Sequence, residues 1–126
     1  MIKDFLILNF IGKENKIGLR VKNSFYIHDF DKKTDNDQLV LSVLNMIKKY
    51  KVNINDHFSV LVNRGPGSFS SIRTSLAVAK GIRISNKINL FGYKNLDLGQ
   101  FNLANIELLI EKKLVQKNLI KPIYLS

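Results

Sequence analysis

Residues 63–81 read NRGPGSFSSIRTSLAVAKG and hold the chain's most suggestive set of side chains for chemistry. Gly65, Pro66 and Gly67 lead into Ser68, Phe69, Ser70 and Ser71, with Arg64 before them and Arg73 after. A glycine-rich loop that opens a helix can cradle a phosphate on its free amides. The spacing excludes the familiar nucleotide motifs. A Walker A loop needs G-x-x-x-x-G-K-[ST], with a lysine that reaches the terminal phosphates, and Gly67 is followed here by Ser-Phe-Ser-Ser-Ile-Arg. The dinucleotide fingerprint G-x-G-x-x-G fails as well, because Ser70 occupies the place of its third glycine. A weak anion site at the amides of residues 67–70 stays open, worth about 0.3–1 kcal/mol per exposed charge. The preferred reading is structural: a sharp strand-to-helix turn, with Ser68 or Ser70 as cap and Phe69 plugging the core.

Other chemistries find even fewer residues. Metal-dependent nuclease chemistry needs several carboxylates converging on strand ends, and only ten acids are present. Asp4 opens one apolar run, Asp29 and Asp31 close another, and Asp35 and Asp37 sit where a helix begins. The apolar run at 57–63 contains no acid. His28 and His57 are the only histidines, and Ser68 is not in a G-x-S-x-G elbow, so no nucleophilic triad can be assembled. No catalytic residue, metal or cofactor is expected.

The elements that must position these residues are legible from their patterns. Residues 4–10, 16–21 and 24–30 read as strands, with turns at 12–15 and at Lys22-Asn23, and predict an antiparallel meander. Residues 35–50 read as a helix with Asp35 as N-cap, Gln38 three residues on, and Lys48, Lys49 and Lys51 at its C-terminal end. The continuous apolar run 57–63 predicts a strand buried on both faces, followed by a helix over 68–84 and a fifth strand at 88–93. Ile106, Leu109, Ile110 and Leu114 mark one face of a C-terminal helix. The order β-β-β-α-β-α-β predicts a ribonuclease-H-like α/β lobe with a mixed five-stranded sheet.

Both central helices carry more apolar surface than a sheet face needs. On the first, Leu39, Val43, Met46 and Tyr50 form one stripe, and Val40, Leu44 and Ile47 a second beside it. On the other, Phe69, Ile72, Leu76 and Ala79 lie on one side, while Thr74, Ala77, Val78 and Gly81 are small enough for close helix contact. A partner surface formed by Val40, Leu44, Ile47, Thr74, Ala77, Val78 and Gly81 is preferred over cover by the C-terminal helix.

At 126 residues the chain is read as a single domain, with a core over about 1–98 and a C-terminal helix and tail over 99–126. Cysteine is absent, which excludes disulfide and thiol chemistry. The apolar opening is short, broken by Asn9 and without a small-residue cleavage site, and no run reaches the ~18 residues of a membrane span. A cytoplasmic, non-membrane protein is the expectation. The net charge of +10 raises RNA binding as an alternative. Yet lysines outnumber arginines sixteen to four and are scattered, which AT-rich coding produces without selection for a nucleic-acid surface.

Gly65-Pro66-Gly67-Ser68-Phe69, Arg73, Leu76 and Ala79-Lys80-Gly81 resemble the G-P-G-S-F-T-G-[LV]-R…A-K-G signature of the TsaB family. The closing KPIYLS is similar to that family's P-x-Y-L ending. The resemblance covers most of the chain and is strongest from about Asp35 to Leu98. It implies an actin/Hsp70-type fold whose second lobe is truncated to the 99–126 remnant. It further implies a non-catalytic subunit in bacterial tRNA threonylcarbamoyladenosine synthesis. Its implied partner is a TsaD-like enzyme held through the first two helices, with a TsaE-like ATPase as a further partner and tRNA contacted only indirectly. A homodimer through the same helices, without a modification role, is the alternative. Asn9-Phe10-Ile11 stands where the family has Asp-Thr-Ser, and Ser70, Ser71 and Ile72 replace Thr-Gly-Leu. The first departure removes the acid of a phosphate loop.

Overall fold

The computed structural model describes residues 3–11, 14–31, 35–54, 57–67, 69–85 and 88–117. Three strands open the chain: β1 (Phe5–Asn9), β2 (Glu14–Val21) and β3 (Ser24–Asp31). They pair antiparallel, β1 with β2 and β2 with β3. Lys22 and Asn23 both take positive φ, 50° and 66°. That is the primed two-residue turn whose twist matches the strands it joins.

Helix α1 (Asn36–Lys49) starts where Asp35 accepts a 2.8 Å bond from the Gln38 amide. It stops in a Schellman turn: Lys51 is left-handed, its amide donates to Lys48, and the Val52 amide donates to Ile47. Tyr50 at this end stacks on Tyr26 of β3, ring centres 3.9 Å apart, which fixes α1 to the meander. Next come β4 (Ser59–Asn63), α2 (Phe69–Ser85) and β5 (Asn89–Tyr93), with β1, β4 and β5 running parallel.

The sheet order is β3-β2-β1-β4-β5-β6. The sixth strand, β6 (Val115–Lys117), is an addition to the five that the sequence predicts, and it pairs antiparallel on the β5 edge. A one-turn helix, α3 (Asn95–Leu98), is a second addition. The predicted C-terminal helix is α4 (Leu103–Glu111), capped by Asn102. Leu114 is not on its face. A second Schellman turn, with Lys113 left-handed and the Leu114 amide on Leu109, ends the helix first.

Alternation along the strands builds two cores. Leu6, Leu8, Val60, Val62 and Leu90 meet Leu39, Val43 and Met46 of α1 and Ile72, Ala79 and Ile82 of α2. Phe5, Ile7, Leu61 and Tyr93 meet Leu98, Ile106 and Leu109 on the other face. The central strands are apolar throughout because helices cover both of their faces.

Candidate protein-interaction site

The structure separates the two stripes of α1 as their spacing predicts. Leu39, Val43 and Met46 are buried, whereas Val40, Leu41 and Leu44 remain 38%, 59% and 50% exposed. Ile47 is partly buried at the core's margin. On α2, Ala77 and Gly81 are exposed and Thr74 is intermediate. Val78 corrects the sequence reading: at 4% exposure its side chain belongs to the core, so it presents nothing to a partner. Leu41 is an addition to the predicted surface, and it lies three residues before Leu44 on the same outward side of the helix. The C-terminal helix α4 packs on the opposite sheet face, against Phe5, Ile7 and Leu61, and leaves the outer side of α1 uncovered.

The glycine-rich turn sits at the ends of the parallel strands. Asn9, Asn63 and Tyr93 end β1, β4 and β5 and share the strand face of Ile7 and Leu61. Asn63 is fully buried. Its Nδ2 donates to Asn9 Oδ1 and to Asn95 Oδ1, each at 3.0 Å, and its Oδ1 accepts the Gly65 amide at 3.0 Å. Asn9 Oδ1 also accepts from the Ile11 amide, at 3.3 Å. The Asn95 amide donates to Gly65 O at 2.8 Å, so the turn is tied to both neighbouring strand ends.

Two glycines here answer geometric demands. Gly65 has φ 105°, which side chains rarely adopt. A Cβ on Gly67 would lie 2.8 Å from Ile11 Cδ1, so the turn nests against the segment after β1. The Gly65–Pro66 peptide is cis. Both amide hydrogens of Asn63 are engaged within the network, so this buried amide is not held in reserve for a ligand. The expected roles of Ser68 and Ser70 as caps and of Phe69 as core plug lie outside the described residues and side chains.

Tyr93 completes the pin. Its hydroxyl donates to Leu8 O at 3.1 Å. Burial pushes its pKa well above the ordinary tyrosine value, and the Asn63 hydrogen bond offsets part of that shift. Two of the acids have roles elsewhere in the fold. Asp35 caps α1, and Asp29 pairs with Lys16 at 2.9 Å on the meander. Among the described residues no three His, Cys, Asp or Glu side chains gather as a metal site, and no helix is long and apolar enough to cross a membrane.

A three-stranded meander feeding parallel strands, with helices on both faces, defines a ribonuclease-H-like lobe. No protein-family model matches the chain. It is 36% identical over 62 residues to the tRNA threonylcarbamoyladenosine biosynthesis protein TsaB of Buchnera aphidicola (subsp. Schizaphis graminum), an overlap of 46% of this chain and 30% of that protein. Among solved structures, YeaZ from Pseudomonas aeruginosa superposes with a TM-score of 0.64 at 18% identity, over 75% of this chain and 46% of its own. A second Pseudomonas aeruginosa structure, an uncharacterized protein with similarity to the peptidase YeaZ, gives 0.66 at 16% identity, over 76% and 45%. Over the matched stretches the chain is similar to members of the TsaB/YeaZ family. It spans less than half the length of these relatives.

Proposed function

We propose that the chain is a non-catalytic binding subunit that docks on a TsaD-like threonylcarbamoyl transferase, in the cytoplasm, through the outer faces of α1 and α2. The observation that carries this reading is the row Val40, Leu41 and Leu44, apolar and exposed on a helix whose inner stripe is already satisfied by the core. Exposed apolar side chains clustered on one helix lower the cost of association, because their transfer from water favours a complex. The small exposed residues Ala77 and Gly81 on the neighbouring helix let another helix approach closely. The curated relative's role in tRNA threonylcarbamoyladenosine biosynthesis supplies the pathway. The strand ends support a scaffold over an enzyme, since asparagines bonded to one another stand there in place of carboxylates.

Co-purification of the chain with a TsaD-like protein tests the reading. Wild type is expected to bind, and Leu44→Asp and Ala77→Asp to lose binding at least ten-fold with circular dichroism unchanged. A wild type that does not bind, or two variants that bind as well as it does, contradicts the proposal.

A further inference from the structure

Lysines and arginines that are scattered along the sequence are gathered by the topology at one end of the sheet. Strands β1, β4 and β5 are parallel and all begin there. Strand β2 runs back to the same end, where Lys22 sits in the turn to β3. The β1–β2 register, carried two residues before Phe5, sets Lys3 level with Lys22. Helix α1 returns from the far end of β3, and its Tyr50 stacks on Tyr26, four residues or about 13 Å along the chain from Lys22. Lys48, Lys49 and Lys51 surround that stack in sequence, and Lys49 Nζ lies 5.3 Å from the Tyr50 ring centre. Helix α2 joins the far end of β4 to the near end of β5, so Arg83 in its last turn reaches the same pole. Lys3, Lys22, Lys48, Lys49, Lys51 and Arg83 are all exposed.

Their counter-charge stands elsewhere. Asp29 and Asp31 close β3, and Asp35 and Asp37 open α1, at the opposite end of the lobe. On the strand starts and helix ends of the basic pole, Asp4 is the one carboxylate among the described residues. Lysine and arginine at a helix C-terminus complement its dipole, which accounts for the cations of α1 and α2 but not for Lys3 or Lys22. None of the exposed large hydrophobic side chains among the described residues belongs to these ends. A protein interface is built around an apolar core, and a membrane surface takes up apolar side chains. A phosphate backbone asks only for cations. We propose that this pole binds the phosphate backbone of a nucleic acid, by charge and without reading its sequence. The pole is separate from the docking face, because Val40, Leu41 and Leu44 stand nearer the start of α1.

Fluorescence anisotropy with a labelled RNA hairpin, and with a DNA hairpin of the same sequence, tests this at 50 and 200 mM NaCl. With about four phosphates contacted, the affinity is expected to fall about a hundred-fold between the two salts. The triple variant Lys3→Gln/Lys48→Gln/Arg83→Gln is expected to lose at least ten-fold at the lower salt and to show a shallower salt dependence. The control Lys112→Gln/Lys113→Gln/Lys117→Gln has the same net charge but loses its cations at the end of α4 and on β6, and is expected to bind as the wild type does. Circular dichroism confirms that each variant is folded. Binding of one hairpin and not the other names the source of the phosphates and upholds the pole. Absence of binding to both hairpins at 50 mM NaCl overturns it. Equal losses in the two triple variants overturn it by assigning the binding to net charge. Capture by phosphatidylserine vesicles, with neither hairpin bound, overturns it by assigning the cations to a membrane surface.

Discussion

Replacing Asn63 with alanine tests whether the glycine-rich turn is an architectural pin. Three of the wild-type side chain's hydrogen bonds, to Asn9, to Asn95 and from the Gly65 amide, are made from a fully buried position. At about 1 kcal/mol net for each bond, the loss comes to about 3 kcal/mol. Asn9 Oδ1 keeps its bond from Ile11, but the buried Gly65 amide loses the side chain that receives it. With a denaturant slope of about 1–3 kcal/mol per molar urea, the unfolding midpoint drops by roughly 1–3 M. Asn63→Asp keeps the shape and separates charge from cavity. Burial raises the pKa of the introduced carboxyl above its unfolded value of about 3.9, so its stability deficit grows as the pH rises past that value. Urea unfolding at pH 4 and pH 7 measures both effects. A loss under about 0.5 kcal/mol for Asn63→Ala, or an Asn63→Asp deficit no larger at pH 7 than at pH 4, refutes the reasoning.

Tyr93 predicts an alkaline limit: its folded pKa lies above the unfolded value of 10.0, so its contribution is whole below pH 10 and is lost as the pH climbs further. The slope is about 1.4 kcal/mol per pH unit, and Tyr93→Phe is expected to flatten the stability curve above pH 10 by that amount in matched thermal melts. Gly81 lies within α2, and a methyl group added at its Cα would meet nothing within 4 Å, so Gly81→Ala is expected to stabilise the free chain by about 0.5–1 kcal/mol. If the helix face is a docking surface, the same variant weakens the TsaD-like complex, and calorimetry set beside binding shows the two effects in opposite directions.

The parts of the fold legible in the sequence are those specified by local rules. Asp35 and Gln38 mark the start of α1, and the unbroken apolar run before Asn63 marks a strand covered on both faces. The two stripes of α1 also separate as their spacing requires, because a helix turns each residue by a fixed angle. What the sequence hides depends on distant partners. Asn63 reads as the last residue of a buried strand, yet its bonds reach 54 residues back to Asn9 and 32 forward to Asn95. The strand β6 is three residues, Val-Gln-Lys, too short to show alternation, and its position follows from the free edge of β5. Val78 reads as surface because it is small and off the main stripe, and packing draws it into the core.

Whether α1 and α2 form the docking face is tested most directly by hydrogen–deuterium exchange of the chain with and without the TsaD-like protein. New protection is predicted over 40–48 and 73–81 on binding, with exchange over 103–111 in α4 unchanged. Protection confined to α4 or to the β3 edge, with α1 and α2 exchanging as in the free chain, would contradict a docking role for the helix pair.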